Sequence, residues 1–214
     1  MCAELGGDRV YFFMGQDGCD YSLEVDFEDA WNWMVEGISE IAAHRPDVKV
    51  CVEYKPTEPR RHIFLSSVGT SLYLIDQVGA DNLGVVFDSG HAMMAGENLG
   101  ESIYLLGRAG RLFHVHFTDN YRTFDDDMIV GSIHFLPFVE AVYWLKRVGY
   151  DGWQSLDLYP YRENPDTAVI QSIKMLQRIS ILVDEIGLGT IADLLRQGDG
   201  GRSLGHIYKR IFGS

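Results

Sequence analysis

Four apolar segments of this sequence each end in a side chain that can bind a metal ion. The segments are short, rich in β-branched or aromatic residues, and followed within a few residues by Gly, Pro or Asn, a pattern typical of β-strands. Their terminal residues are Glu53, Asp88, His116 and Asp157. A carboxylate at the inward end of a buried strand is costly unless a cation neutralises it. The four endings together predict one shared metal site.

The donor types indicate which ions this site would take. Three carboxylates and one imidazole suit hard or borderline divalent ions, so we expect Mn²⁺, with Mg²⁺, Co²⁺ or Zn²⁺ as alternatives. Further ligands lie nearby in the sequence: His91, and the acidic pair Asp125 and Asp127. With Asp88 as a bridge, these predict a possible second cation. Lys55 would place an ammonium group where it could polarise a substrate oxygen.

Each of these residues also has a simpler interpretation when it is considered alone. An aspartate at a strand end, such as Asp88, commonly caps the following helix. A single histidine such as His116 is commonly a hydrogen-bonded core residue, and the acidic triplet at 125–127 is commonly a solvated loop. Helix capping would not explain why one of the four strands ends in a histidine. The occurrence of a potential metal ligand at the end of all four strands therefore favours a metal site. We assign His62, His114 and His134 structural or surface roles.

The elements that would position these residues alternate between strand and helix. Hydrophobic periodicity and turn residues predict strands ending near Met14, Glu53, Asp88, His116 and Asp157. They predict helices at about 27–44, 67–78, 97–106, 137–148 and 166–185. Such alternation is typical of a parallel sheet whose ligands all lie at the carboxyl ends of the strands. Five strands are fewer than the eight that close a (β/α) barrel.

The two-residue period of a strand predicts which side chains face the barrel axis. Alternation from the strand ends places Cys51, Val86, His114 and Ser155 on the same face as the four predicted ligands. The intervening residues would face the helices: Val50, Val52, Val85, Phe87, Val115, Phe117 and Leu156.

Composition limits the classes of protein that remain. The chain has 214 residues, which suits a single domain, 1–214, with a helical extension at about 187–214. A net charge of −13 argues against nucleic-acid binding. Three cysteines indicate a reducing compartment without a disulfide framework. No membrane span or signal peptide is recognisable, so a cytoplasmic location without membrane partners is expected.

Five stretches of the sequence, in unbroken order, carry the motifs of one enzyme family. Residues 53–60 read EYKPTEPR, similar to E-P-K-P-N-E-P-R, and residues 88–98 are similar to E-V-G-H…M-A-G-x-N. Residues 112–116 are similar to L-F-H-I-D, residues 125–127 to D-x-D, and residues 149–157 to G-Y-D-G…F-D-F. These motifs resemble those of the xylose isomerase-like (β/α) barrels, which include sugar isomerases and ketose epimerases.

The resemblance implies a partial barrel of about five of the eight β/α units and a role for each site residue. It implies a first metal on Glu53, Asp88, His116 and Asp157, and a possible second on Asp88, His91, Asp125 and Asp127. It also implies catalytic roles for Glu53, Lys55, His91 and Asp157, and substrate contacts for Lys55, His91 and Arg122. Two positions depart from xylose isomerase, Asp88 for Glu and His116 for Asp. His116 matches rhamnose isomerases and the epimerases, so xylose itself is not implied as the substrate.

Family members have further strands ahead of the position of Arg9. We therefore expect a fragment, a natural truncation, or a subunit that is completed as a homo-oligomer or by a complementing chain. The implied function is a divalent-metal-dependent aldose–ketose isomerase acting through a metal-bound open-chain sugar. One alternative is a ketose or inosose epimerase, or a lyase-type enzyme, that uses Glu53 and Asp157 as acid and base. Another is a partner-dependent or inactive metal-binding subunit, and a purely structural α/β domain would bind no metal.

Overall fold

The computed structural model describes residues 1–213, and its main feature is a parallel sheet flanked by helices. A 3₁₀ turn at Ala3–Leu5 precedes the regular elements. In chain order these are β1 Arg9–Phe13, β2 Gly18–Cys19, α1 Phe27–His44, β3 Lys49–Glu53, β4 His62–Ile63, α2 Val68–Val78, β5 Leu83–Asp88, α3 Ser89–Met94, α4 Leu99–Arg108, β6 Leu112–Phe117, α5 Phe135–Arg147, β7 Gln154–Leu156, α6 Pro165–Ile186, α7 Leu188–Gln197 and α8 Gly200–Phe212.

The main sheet is one half of a TIM barrel. Its strand order is β1-β3-β5-β6-β7, and every neighbouring pair is parallel. Strands β1 and β7 form its two edges, and a short antiparallel pair, β2 with β4, lies apart from it. The prediction of a partial (β/α) barrel with about five units is confirmed.

The outward face of the sheet forms the core with the helices. The predicted helix-facing residues of β3, β5 and β6 are all fully or nearly fully buried in one hydrophobic cluster: Val50, Val52, Val85, Phe87, Val115 and Phe117. Leu156 of β7 packs against this cluster at its margin. This burial fixes the register of each strand, because a shift by one residue would turn the core residues inward. The same register fixes which side chains point away from the helices.

Capping residues set the helix boundaries. Asp26 accepts hydrogen bonds from the backbone of Glu28 and Asp29 and begins α1 at the predicted residue. Ser67 caps α2, and Gly79 ends it with a φ of +68°, a conformation that glycine adopts without a steric cost.

Three details differ from the sequence-based prediction. Helix α4 begins after Asn98, which caps it, while the Glu97 carboxylate turns inward to bind the Tyr54 hydroxyl. Helix α5 begins at Phe135 and not at Pro137. The short helix α3 and the β2–β4 pair were not predicted, because six residues or fewer are too short for a periodic signal.

No helix within the described part of the chain, residues 1–213, is long and apolar enough to cross a membrane.

Candidate metal centre

Strand register brings the predicted ligands together at the carboxyl-terminal ends of the strands. Asp88, at the end of β5, lies opposite His116 of β6, and Glu53 ends the neighbouring strand β3. Asp157 lies one residue beyond β7, where its backbone N–H donates to the carbonyl of Phe117 at 3.2 Å. The parallel strands therefore place four side chains from distant parts of the sequence at the same end of the sheet.

The four side chains converge. Each of Glu53, Asp88, His116 and Asp157 offers one ligand atom, and these atoms all lie within 4.8 Å of one another. His116 Nδ1 is 3.1 Å from Glu53 Oε1 and 3.8 Å from Asp157 Oδ2. Three of the residues are buried, whereas the Asp157 side chain is 52% exposed. The cluster is therefore enclosed by protein on one side and open to solvent beside Asp157.

Asp88 performs the capping role and remains available as a ligand. Its Oδ1 accepts a hydrogen bond from the His91 backbone N–H at 2.8 Å and so caps α3. Its Oδ2 is buried and has no hydrogen-bond partner within the described chain. A buried carboxylate oxygen without a partner is energetically costly, and a divalent cation would satisfy it.

The spread of the ligand atoms also fits a small divalent ion. Opposite ligands around a six-coordinate ion lie about 4.2 Å apart when each bond is about 2.1 Å. The observed limit of 4.8 Å is only a few tenths of an ångström wider. Small side-chain rotations would therefore bring the four ligand atoms to bonding distance of an ion. The three carboxylates and the imidazole fit the divalent ion that the sequence predicts.

Burial and the interactions within the cluster shift the pKa values of its side chains. Burial raises the pKa of Asp88 to about 7, with the Glu53 carboxylate adding to the rise and His91 opposing it. Burial likewise raises the pKa of Asp157. Burial disfavours protonation of His116, but its hydrogen bond to Glu53 outweighs this and raises its pKa. The cluster thus favours extra positive charge, which protons supply when no metal does.

The predicted second group of ligands is only partly assembled. His91 Nε2 lies 3.1 Å from Asp125 Oδ2, and the same oxygen is 3.0 Å from Lys55 Nζ. Among residues 1–213, the first four ligands are the one group of three or more that meets the spacing expected around an ion. His91 and Asp125 form an ion-paired network with Lys55, and Asp127 does not join them in a second such group.

The remaining predicted residues lie farther out on the loop at 118–133. Burial, together with the Asp125 and Asp157 carboxylates, raises the pKa of Asp127 to about 7, so Asp127 lies within electrostatic reach of the cluster. Arg122 is exposed, and its guanidinium Nε contacts His134 Nε2 at 3.1 Å. His134 in turn pairs with the buried Asp119. The structure therefore places Arg122 against a histidine and not against a cluster member.

A layer of side chains beneath the cluster was assigned no role in the site from the sequence. His114 is buried, stacks on the Tyr11 ring at 5.5 Å, and contacts Ser155 Oγ at 3.0 Å. Both His114 and Tyr11 also meet the His116 ring edge to face. This packing holds the His116 imidazole in place. The two-residue alternation back from His116, which places His114 on the same face of the sheet, was the signal that could have identified this packing role.

The raised pKa of Asp88 predicts a pH dependence for the stability of the metal-free protein. Between its ordinary value of 3.8 and the folded value of about 7, the folded state binds more protons than the unfolded state. The contribution of Asp88 to stability is therefore greatest at low pH and falls as the pH rises through this window. We expect the free energy of unfolding in EDTA, measured with urea, to fall by about 2–4 kcal/mol between pH 5 and pH 7.5 through this group.

The matched variant is Asp88→Asn, which keeps the capping oxygen and removes the titration. It should show a clearly shallower decrease over the same interval. Equal slopes for the two proteins would contradict the assignment of a proton-binding carboxylate at position 88.

Comparison with known proteins agrees with this architecture. The family model described as "Xylose isomerase-like TIM barrel" matches residues 1–179. The xylose isomerase of Thermus thermophilus is 26% identical over 189 residues, which cover 86% of this chain and 49% of that protein. The chain thus spans about half the length of the curated relatives it matches.

Solved structures give the same result for the fold. A D-tagatose 3-epimerase-like protein superposes with a TM-score of 0.68 at 25% identity, covering 86% of this chain and 66% of the other. The IOLI protein, solved with a bound zinc atom, superposes with a TM-score of 0.63 at 22% identity, covering 84% of this chain and 65% of the other. Together with the half-barrel sheet and the match to residues 1–179, these findings establish that the chain belongs to the xylose isomerase-like TIM-barrel family.

Proposed function

We propose that this chain carries the metal centre of a divalent-cation-dependent sugar isomerase that interconverts an aldose and a ketose. The observation that carries the proposal is the convergence of Glu53, Asp88, His116 and Asp157 within 4.8 Å. The neighbouring Lys55 adds an ammonium group beside it. Relatives that include xylose isomerases and a D-tagatose 3-epimerase-like protein support a sugar as the substrate.

Glu53, Asp88, His116 and Asp157 would hold the cation. A bound divalent ion supplies positive charge that polarises hydroxyl and carbonyl oxygens of an open-chain sugar. We propose Mn²⁺ as the ion because the donor set is mainly carboxylate oxygen. Zn²⁺ is the competing choice, since the IOLI protein binds zinc in the same fold.

The chain's own residues supply the remaining electrostatics. Burial would lower the pKa of Lys55, but Glu58 at 2.6 Å and Asp125 at 3.0 Å outweigh it and raise that pKa. Lys55 is therefore protonated near neutral pH and can stabilise negative charge that develops on a substrate oxygen. Burial would likewise lower the pKa of His91, but Asp88 and Asp125 raise it to about 9. In the metal-free protein His91 is therefore a second positively charged side chain beside the cluster.

A second candidate function is epimerisation of a ketose by proton transfer. Glu53 and Asp157 both belong to the cluster, and His116 Nδ1 lies between them at 3.1 and 3.8 Å. One of these carboxylates could remove a proton next to the carbonyl, and the other could return it from a different side. One converging ligand group is sufficient for this candidate, because the proton transfer uses the two carboxylates and no second cation.

The experiment that tests the proposal is turnover of an aldose and ketose panel by the Mn²⁺-loaded protein in D₂O, followed by NMR. Isomerisation by hydride shift predicts product with almost no deuterium at the reacting carbon. Epimerisation by proton transfer predicts deuterium incorporation. Protein treated with EDTA serves as the control and should be inactive. Tight Mn²⁺ binding without turnover of any sugar would instead support a metal-binding subunit that needs a partner chain.

A further inference from the structure

A cleft of about 280 Å³ is lined by Asp127, a residue within electrostatic reach of the cluster. It lies between the loop that follows β6 and the loop that follows β7, with Asp126 and Asp127 on one wall and Tyr159 and Tyr161 on the other. Leu158, which directly follows the predicted ligand Asp157, also lines it. The cleft therefore adjoins the proposed sugar site in sequence, and Asp127 brings it within electrostatic reach of Asp88 and Asp157.

The walls of the cleft are held together. The Tyr159 backbone N–H donates to the Asp127 carbonyl at 3.2 Å and ties the two loops to each other. The Asp126 carboxylate accepts a hydrogen bond from the Tyr121 backbone at 2.9 Å and orders the β6 loop from within. The separation of the walls is thus defined by hydrogen bonds between and within the loops.

The aromatic rings on the cleft are not used for packing. Tyr159 is 63% exposed and Tyr161 72% exposed. Their rings contact each other edge to face, with centroids 5.1 Å apart. Exposed adjacent aromatic groups usually mark a binding surface. A flat ring face matches the C–H face of a pyranose, and the adjacent carboxylates can accept hydrogen bonds from its hydroxyl groups.

We propose that this cleft binds a second sugar ring, so that the substrate is a sugar carrying a glycosyl substituent and not a free monosaccharide. This inference rests on the proposed function for its first ring. The volume lies at the lower limit of small-molecule sites, so the cleft accommodates one additional ring. Asp126 and the lining residue Glu163 make it acidic and so exclude phosphorylated or carboxylated substituents by charge repulsion.

The test compares the binding of mono- and disaccharides by calorimetry to the Mn²⁺-loaded protein. Cellobiose and maltose should bind about tenfold more tightly than glucose, since two aromatic contacts contribute roughly that factor. In the Tyr159→Ala, Tyr161→Ala double variant, the ratio of disaccharide to monosaccharide affinity should fall to near one. Tyr208→Ala removes an exposed tyrosine from α8 and should leave the ratio unchanged. A wild-type ratio of one, or a ratio that survives the double substitution, would overturn the proposal.

A second measurement tests the cleft separately from the metal centre. In protein labelled with 3-fluorotyrosine, cellobiose should shift the ¹⁹F resonances of Tyr159 and Tyr161, assigned by the single variants, but not that of Tyr208. The shifts should occur in EDTA as well as in Mn²⁺. Cleft shifts without sugar turnover would support the second-ring site and contradict the isomerase. Turnover of free monosaccharides without such shifts would contradict the second-ring site alone. The same conclusion would follow if choline, a cation that binds to aromatic rings, produced the shifts and cellobiose did not.

Discussion

Saturating Mn²⁺ is expected to raise the melting temperature of the metal-free protein by about 5–10 °C. An ion at one hundred times its dissociation constant stabilises the folded state by about 2.7 kcal/mol, and each kcal/mol is worth about 2–4 °C in a chain of this length. The physical source is the cluster itself. Glu53, Asp88 and Asp157 bring three carboxylates within 4.8 Å of one another, and their repulsion is relieved when a cation is bound.

The matched variants separate this effect from nonspecific ion binding to an acidic protein. Asp88→Asn removes the buried charge and should abolish most of the Mn²⁺-induced shift. Asp184→Asn removes a carboxylate that pairs with Lys146 at the surface and should leave the shift intact. Differential scanning calorimetry with Mn²⁺, Mg²⁺, Co²⁺ and Zn²⁺ in turn would rank the ions. An unchanged melting temperature with every ion, or equal shifts in the two variants, would rule out the metal centre.

The sequence was sufficient to predict the fold and the convergence of the four side chains. Strand periodicity determines the direction in which Glu53, Asp88 and His116 point. Parallel pairing determines the end of the sheet at which they meet. Both are local rules that can be applied to one chain. The predicted ends of α1 and α2 followed for the same reason, because Asp26, Ser67 and Gly79 carry specific capping chemistry.

The roles of the loop residues depend on side-chain rotamers and loop paths, which the spacing of residues along the chain does not specify. The acidic triplet at 125–127 was expected to supply a second group of ligands. In the structure, Asp125 pairs with His91 and Lys55, because a buried ammonium competes for the same carboxylate oxygens as a metal would. Spacing along the chain carries no information about that competition. Arg122 lies against His134 for a similar reason, because Asp119 holds that histidine at the start of α5.

If the reaction proceeds by proton transfer, replacing Glu53 by Gln is expected to lower turnover by about 10²–10⁴-fold, the range typical of losing a general base or acid. Gln keeps the length of the side chain and can still accept the hydrogen bond that His116 Nδ1 makes to Glu53 Oε1 at 3.1 Å. The His116 ring should therefore keep its orientation. What is lost is a buried charge that can remove a proton next to a carbonyl. The measurement is kcat at saturating Mn²⁺ and sugar, because weaker metal binding would otherwise contribute to the decrease.

Asp157→Asn provides the second half of this prediction. In a proton-transfer mechanism either substitution should abolish epimerisation, but the carboxylate that remains can still exchange the substrate hydrogen on its own side, so deuterium should enter the recovered substrate. In a hydride shift the two residues only hold the cation, so each variant should lose affinity for Mn²⁺ while the product that still forms remains free of deuterium. The surface variant Asp184→Asn should match the wild-type protein in both assays. Full turnover by both the Glu53→Gln and the Asp157→Asn variants with Mn²⁺ bound would exclude a catalytic role for either carboxylate.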